Sequence, residues 1–308
     1  MNKITLYTFA ILPNLFWSLT FIWYKVILEY LGPVSIIFFR LIIASSILIF
    51  ITKVFYKTQE KLVFKDYRNL FILAFFEPFI YFLGESYGML YVSSTIASVI
   101  ISMIPVLTPV IAFKILNEKL NIFNILGLLI SFAGVLVILV NPSASADFTL
   151  KGIMLLLVAV IGAVSYGVTV KKMSADYSSL TIAKYQSIFG SFLFLPLFLI
   201  LEYNSSITNI SESYNKGTIF TMLITLFSMS FFASVLAFVL ILKPIKILGI
   251  SKTNVFTNLI PVFTAVIAYF FLDEHFDTKK IIGMILVISG IILSQMKGLF
   301  KKKSLQIM

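Results

Sequence analysis

Glu77, Tyr81 and Glu85 follow one another at intervals of four residues inside a long apolar run. Residues four apart on a helix are neighbours, so the spacing predicts two carboxyls and a phenol on one broad face. Glu77 lies nine residues beyond Arg68, which is about 13 Å along a helix rising 1.5 Å per residue. At that depth in a membrane an ionised carboxylate is costly unless it is paired, wetted or protonated. Glu77 could therefore accept a coupling proton or a substrate amine, or it could be a protonated, hydrogen-bonded part of the packing. Glu85 is nearer the far end of its run and could reach interfacial water instead. Tyr81 could bond a solute, or pack with its hydroxyl satisfied.

Other polar or aromatic residues stand in comparable places. Lys25 and Arg40 fall near the ends of the first two apolar runs. They could close a gate, pair with a buried acid, or snorkel to the interface. Trp17 and Tyr166 fall near mid-run and could line a cavity or fill the core. Asn254 and Asn258 lie one helical turn apart, in the slots of Ser98 and Ser102 of an earlier run. Such a stripe could face a solute or join helices. Pro105 and Pro261 each remove a backbone donor, predicting a broken helix that shapes a cavity or acts as a hinge.

Several chemistries are excluded. There is no Cys, hence no thiolate nucleophile and no Cys-held metal. His275, the one His, lies among Asp273, Glu274 and Asp277; that reads as a solvated turn, so no metal is expected. Neither a phosphate-binding loop nor a catalytic triad is visible, and no cofactor is implied.

These residues must be held by membrane helices. The 308 residues are 60% hydrophobic and 12% charged, with mean hydropathy +1.04 and net charge +11. Soluble domains carry about 25% charge. Ten apolar runs of membrane-spanning length are predicted near 4–28, 33–53, 68–90, 94–116, 121–141, 149–171, 179–201, 218–241, 249–272 and 278–297. The first reads as a retained span, not a cleaved signal. The polar stretch from Tyr203 to Gly217 is the longest loop expected. With the N-terminus cytoplasmic, seventeen Lys and Arg fall on that side and only Lys151, Lys216, Lys279 and Lys280 on the other. This bias predicts both termini in the cytoplasm. The positive charge therefore reads as topology signal and lipid contact, not nucleic-acid binding.

The chain also repeats itself. Residues 104–134 align without gaps on 260–290, with twelve identities in 31 positions. Among them are Pro105/Pro261, Thr108/Thr264, Glu118/Glu274, Gly127/Gly283 and Gly134/Gly290. Two similar units of five spans each must lie upside down relative to one another. A site at their seam near the membrane midplane is then expected to open alternately to each side. The units are 1–142 and 149–297, followed by a basic cytoplasmic tail at 298–308. Glu118 and Glu274 are expected to cap the helices that follow them.

This repeat resembles the EamA unit of the drug/metabolite transporter superfamily. The resemblance rests on Trp17, Lys25, Pro33, Arg40, the Tyr91-Val92-Ser93-Ser94 approach to the fourth span, and the P-x-x-T-x-x-x-A element with its Glu and Gly in both copies. It implies an all-α bacterial inner-membrane carrier of ten helices in two inverted five-helix repeats. Its cavity would be lined mainly by spans 1, 3, 4, 6, 8 and 9. Glu77 and Glu85 depart from the family's usual apolar or neutral residues. The expected function is secondary-active export of an amino acid or related small metabolite, with protons as a candidate partner, membrane lipids around it, and no oligomer required. The alternatives are a membrane-embedded enzyme, or a channel or helper subunit without alternating access.

Overall fold

The computed structural model describes residues 3–55, 62–108, 111, 122–139, 149–173, 177–248, 256–257, 259–274 and 277–300, and these are helical with short connections. In chain order α1 is Lys3–Ile27, α2 Pro33–Phe55, α3 Phe64–Ala74, α4 Tyr81–Gly88, α5 Ser94–Ile101 and α6 Ile122–Leu139. Then follow α7 Leu150–Met173, α8 Ser179–Leu197, α9 Tyr203–Asn215, α10 Ile219–Ser228, α11 Ala237–Leu248, α12 Leu259–Phe271 and α13 Thr278–Phe300. Three π-helical segments join neighbours: Phe75–Ile80 between α3 and α4, Phe198–Glu202 between α8 and α9, and Met229–Leu236 between α10 and α11.

Six helical stretches are long and apolar enough to cross a membrane, and four shorter apolar helices accompany them. Large apolar side chains such as Phe50, Phe55, Ile200, Phe220, Phe270 and Phe271 are exposed. In water such a belt would be a liability; for an integral membrane protein it is the surface that meets lipid.

The expected loop at Tyr203–Gly217 is instead the helix α9. Ile207, Ile210 and Tyr214 recur at helical spacing, Ser206 and Ser213 are buried, and Lys216 pairs with Glu212 at 2.9 Å. Short-range pairing of this kind supports a helix even in a Ser- and Asn-rich segment. The third run is also not one helix. Glu77 has extended backbone angles (φ −144°, ψ 116°) and its bond to Pro78 is cis, so the chain breaks between α3 and α4.

The two parts of the chain interleave. α2 packs on α8, α4 on α7, α1 on α11 and α12, and α5 on α7 and α12. The most extensive pairing is α6 along α13. A Cβ at Gly134 would lie 2.7 Å from the Gly283 carbonyl oxygen, and one at Gly290 would lie 2.5 Å from that of Gly127. These are the repeat-related glycines, and they meet reciprocally, low number against high. The two helices are thus antiparallel and touch backbone to backbone, as small residues permit in membranes. Ser131 Oγ adds a hydrogen bond to the Val287 carbonyl at 3.2 Å.

Two carboxylates cap helices across the molecule. Glu202 accepts from Val34 N at 3.2 Å, and from Ser35 N at 2.8 Å and Ser35 Oγ at 2.6 Å, at the start of α2. Glu274 accepts from Ser94 N at 2.8 Å and Thr95 N at 3.3 Å, at the start of α5. Glu274 is thus a cap, but of a helix 180 residues earlier, not of α13 that follows it. A carboxylate is favoured there because the first turn of a helix presents unpaired N–H groups and the positive end of its dipole. At the opposite rim Tyr177 Oη donates to Asp66 Oδ1 at 2.6 Å.

Gly290→Val should lower stability by about 1–3 kcal/mol, because a well-packed contact cannot absorb added methyls without backbone shifts. Thermal unfolding of the purified protein in detergent checks this; an unchanged midpoint would show that α6 and α13 do not pack this closely.

Candidate functional site

A cavity of about 160 Å³ lies where α1, α2, α4, α7 and α11 converge with the breaks beside Glu77, Ser102 and Thr257. Pure hydrocarbon packing would leave no such space, and its volume is roughly ten times what a single water needs. Of the residues singled out by sequence, Glu77, Tyr81, Glu85, Trp17, Tyr166, Arg40 and Pro105 line it. Lys25 does not: its Nζ donates to the Met89 carbonyl at 2.7 Å, tying α1 to the turn after α4. Pro261 sits in the first turn of α12, where a missing N–H costs nothing, while its neighbour Ile260 reaches the cavity. Asn254 and Asn258 lie outside the described residues, as do Glu118 and His275.

The acidic side is built on α4 and the break before it. Tyr81 Oη donates to Glu85 Oε1 at 2.7 Å, the contact that four-residue spacing predicts. Glu85 Oε2 is buried with no hydrogen-bond partner. Glu77, whose extended backbone breaks the helix inside the Phe75–Ile80 segment, lines the cavity. Gly162 and Gly84 let α7 lie against this stretch; a Cβ at Gly84 would fall 2.6 Å from the Leu155 carbonyl oxygen.

The basic side is Arg40, which is 1% exposed. Its Nε donates to Ser234 Oγ at 2.6 Å, its guanidinium carbon sits 4.4 Å from the centroid of the Phe82 ring, and its Nη1 has no partner. Among the described residues no carboxylate comes within ion-pair distance of Arg40; an ion pair they do form is Lys216–Glu212, exposed at the end of α9.

An aromatic wall completes the site. Phe238 stands between Trp17 and Tyr166, with ring centroids at 5.7 and 6.5 Å and near-perpendicular planes. Trp17 Nε1 donates to the Ala233 carbonyl at 3.3 Å, and Tyr166 Oη to Gln186 Oε1 at 3.0 Å. Sequence reasoning missed Phe238, Ser234 and Phe82, and gave Gln186 no role. Phe238 and Phe82 are two of 32 Phe, so nothing local marks them. Gln186 carried a faint signal, since it occupies the place of Arg40 in the second copy.

The arrangement offers a solute a fixed cation, two carboxyls and flat aromatic faces inside a bundle. Such a set of groups is suited to binding.

Comparison with known proteins agrees. The model of a family described as the EamA-like transporter family matches residues 4–140 and again 150–296. The chain is 29% identical to the uncharacterized transporter YetK of Bacillus subtilis (strain 168) over 261 residues, 84% of this chain and 77% of that one. It is 26% identical to an uncharacterized transporter of Archaeoglobus fulgidus, over 90% of this chain and 93% of the relative. A solved crystal structure with 12% identity aligns over 97% of this chain and 100% of that one at a TM-score of 0.63, a likeness of fold.

Tyr81→Phe leaves Glu85 with neither oxygen bonded and should cost about 1–3 kcal/mol. Combining it with Glu85→Leu should cost less than the two changes summed, because they share one interaction. A double-mutant cycle on thermal unfolding measures this, and strict additivity would mean that the pair is not coupled.

Proposed function

The chain belongs to the EamA-like transporter family, and from that premise we propose that it is a secondary-active carrier of the cytoplasmic membrane of a bacterium, exporting an amino acid or related small metabolite by alternating access. The observation that carries this reading is the cavity itself. It is walled by both copies of the repeat and holds Arg40, Glu77 and Glu85 within a largely apolar lining. Ionisable groups inside a membrane bundle mark solute or ion pathways by default, and a site at the seam of two repeats is where alternating access needs one.

The reading takes the four shorter apolar helices as spans beside the six long ones, giving ten. The antiparallel, reciprocal contact of α6 with α13 supports inverted units at 1–142 and 149–297, since repeat-related helices meet there by exchange of equivalent residues. An odd number of spans per unit requires the same inversion. The Lys and Arg bias supports a cytoplasmic location for both termini and for the basic tail at 298–308. Glu77, which has no hydrogen-bond partner among the described residues and a place on the cavity wall, is the group proposed to take a proton or the amine of the solute. Phe238, Trp17 and Tyr166 offer the apolar part of a small solute a surface to stack on.

Counterflow into proteoliposomes preloaded with unlabelled amino acids and related metabolites, each paired with its labelled form, tests the proposal. Saturable counterflow of at least one is expected, and Glu77→Gln should abolish its dependence on pH. No counterflow for any small solute would favour a channel, a helper subunit or an embedded enzyme. Flux that keeps its full pH dependence in Glu77→Gln would remove Glu77 from the coupling step.

A further inference from the structure

We propose that Arg40 is the specificity-determining residue of the cavity: its guanidinium takes the carboxylate of the solute, and the amine of that solute turns toward Glu85 Oε2 and Glu77. The inference deepens the transport reading and rests on it for the identity of the site.

Among the described residues Arg40 is the one fixed positive charge in the cavity wall. A guanidinium does not give up its proton in a protein, so its charge has to be balanced where it stands. Buried charges are normally paired, yet the direct contacts of Arg40 are neutral: the Ser234 hydroxyl on Nε, a ring beneath it, the Tyr24 hydroxyl beside it and no partner on Nη1, while Glu77 and Glu85 feel its charge from beyond ion-pair distance. The side chain is held even so. Ser234, from the π turn of the second copy, fixes Nε, and Phe82, one turn of α4 before Glu85, supports the plane. That is a prepared planar fork with Nη1 unspent, and a planar fork matches a carboxylate with two parallel hydrogen bonds.

Across the same cavity Glu85 has one oxygen bonded to Tyr81 and the other bonded to nothing. Cation and carboxylate face one space without closing on each other. A solute with an anionic and a cationic end satisfies both. The two carboxyls also decide which anion fits: a phosphate ester or a dicarboxylate would bring extra negative charge beside Glu77 and Glu85, and like charges at short range in a low dielectric repel strongly. A monocarboxylate carrying an amine balances Arg40 without that penalty.

Ligand-induced thermal shift of the purified protein tests this with matched probes: leucine and 3-methylbutylamine, tyrosine and tyramine, lysine and 1,5-diaminopentane. In each pair the second member lacks only the carboxylate. The wild-type protein should bind at least one amino acid about tenfold or more tighter than its amine. Arg40→Gln should erase that preference, Arg40→Lys should reduce it, and Ser234→Ala should weaken it by freeing the guanidinium. Ser234→Ala and Arg40→Lys keep the test alive if Arg40→Gln does not fold. Equal binding of acid and amine by the wild type, no binding of any probe, or a preference that survives in the folded Arg40 variants would each overturn the proposal. Selectivity that depends on Arg40 in a protein without counterflow would keep it while removing the transport reading. Counterflow indifferent to Arg40 would do the reverse.

Discussion

In hydrocarbon a backbone N–H or C=O has no water to turn to, so a chain can leave helical geometry only where protein or a wet cavity receives the freed groups. The placement of every irregular stretch described inside the bundle answers to this constraint. The extended residue at Glu77, the turn at Ser102 and Met103 before Pro105, and the short turn at Phe256 and Thr257 all border the cavity. The π segment at Met229–Leu236 supplies a carbonyl to Trp17 and a hydroxyl to Arg40. Breaks and site are thus one feature. The turns open the space, and the groups they expose hold the side chains that line it.

Much of this could be read in the residues. Apolar runs located the helices, and the repeat put Gly127, Gly134, Gly283 and Gly290 in equivalent places before they were seen to touch. The four-residue spacing of Tyr81 and Glu85 gave a hydrogen bond because helix geometry is local. What escaped depends on distance in the chain. Ser234 is one of many Ser, and only folding brings it 194 residues back to Arg40. Glu274 was legible as a helix cap but not as the cap of α5, since a cap from another element leaves no local pattern. The break at Glu77 had a visible cause in Pro78, yet Pro105 and Pro261 drew attention because they recur. Pro261 lies where a helix begins, a position that asks nothing of it.

Charge is distributed with the same economy. Glu202 and Glu274 lie at helix starts and Asp66 on a tyrosine hydroxyl, each with partners that suit a carboxylate. Arg40, Glu77 and Glu85 differ: they are buried around the cavity, with Arg40 Nη1 and Glu85 Oε2 lacking partners and Glu77 without a hydrogen bond among the described residues. Acids at the rims are thus satisfied by the fold itself, while the polar groups in the middle keep bonding capacity that the described residues do not fill.

The contact between α6 and α13 constrains how such a molecule can move. Where main chain rests on main chain there are no rotamers to exchange and nothing to compress. Sliding is blocked by the carbonyls that each helix presents to the other, while turning about the crossing point is not. A methyl added at Gly134 or Gly290 would meet the facing main chain and push the two helices apart.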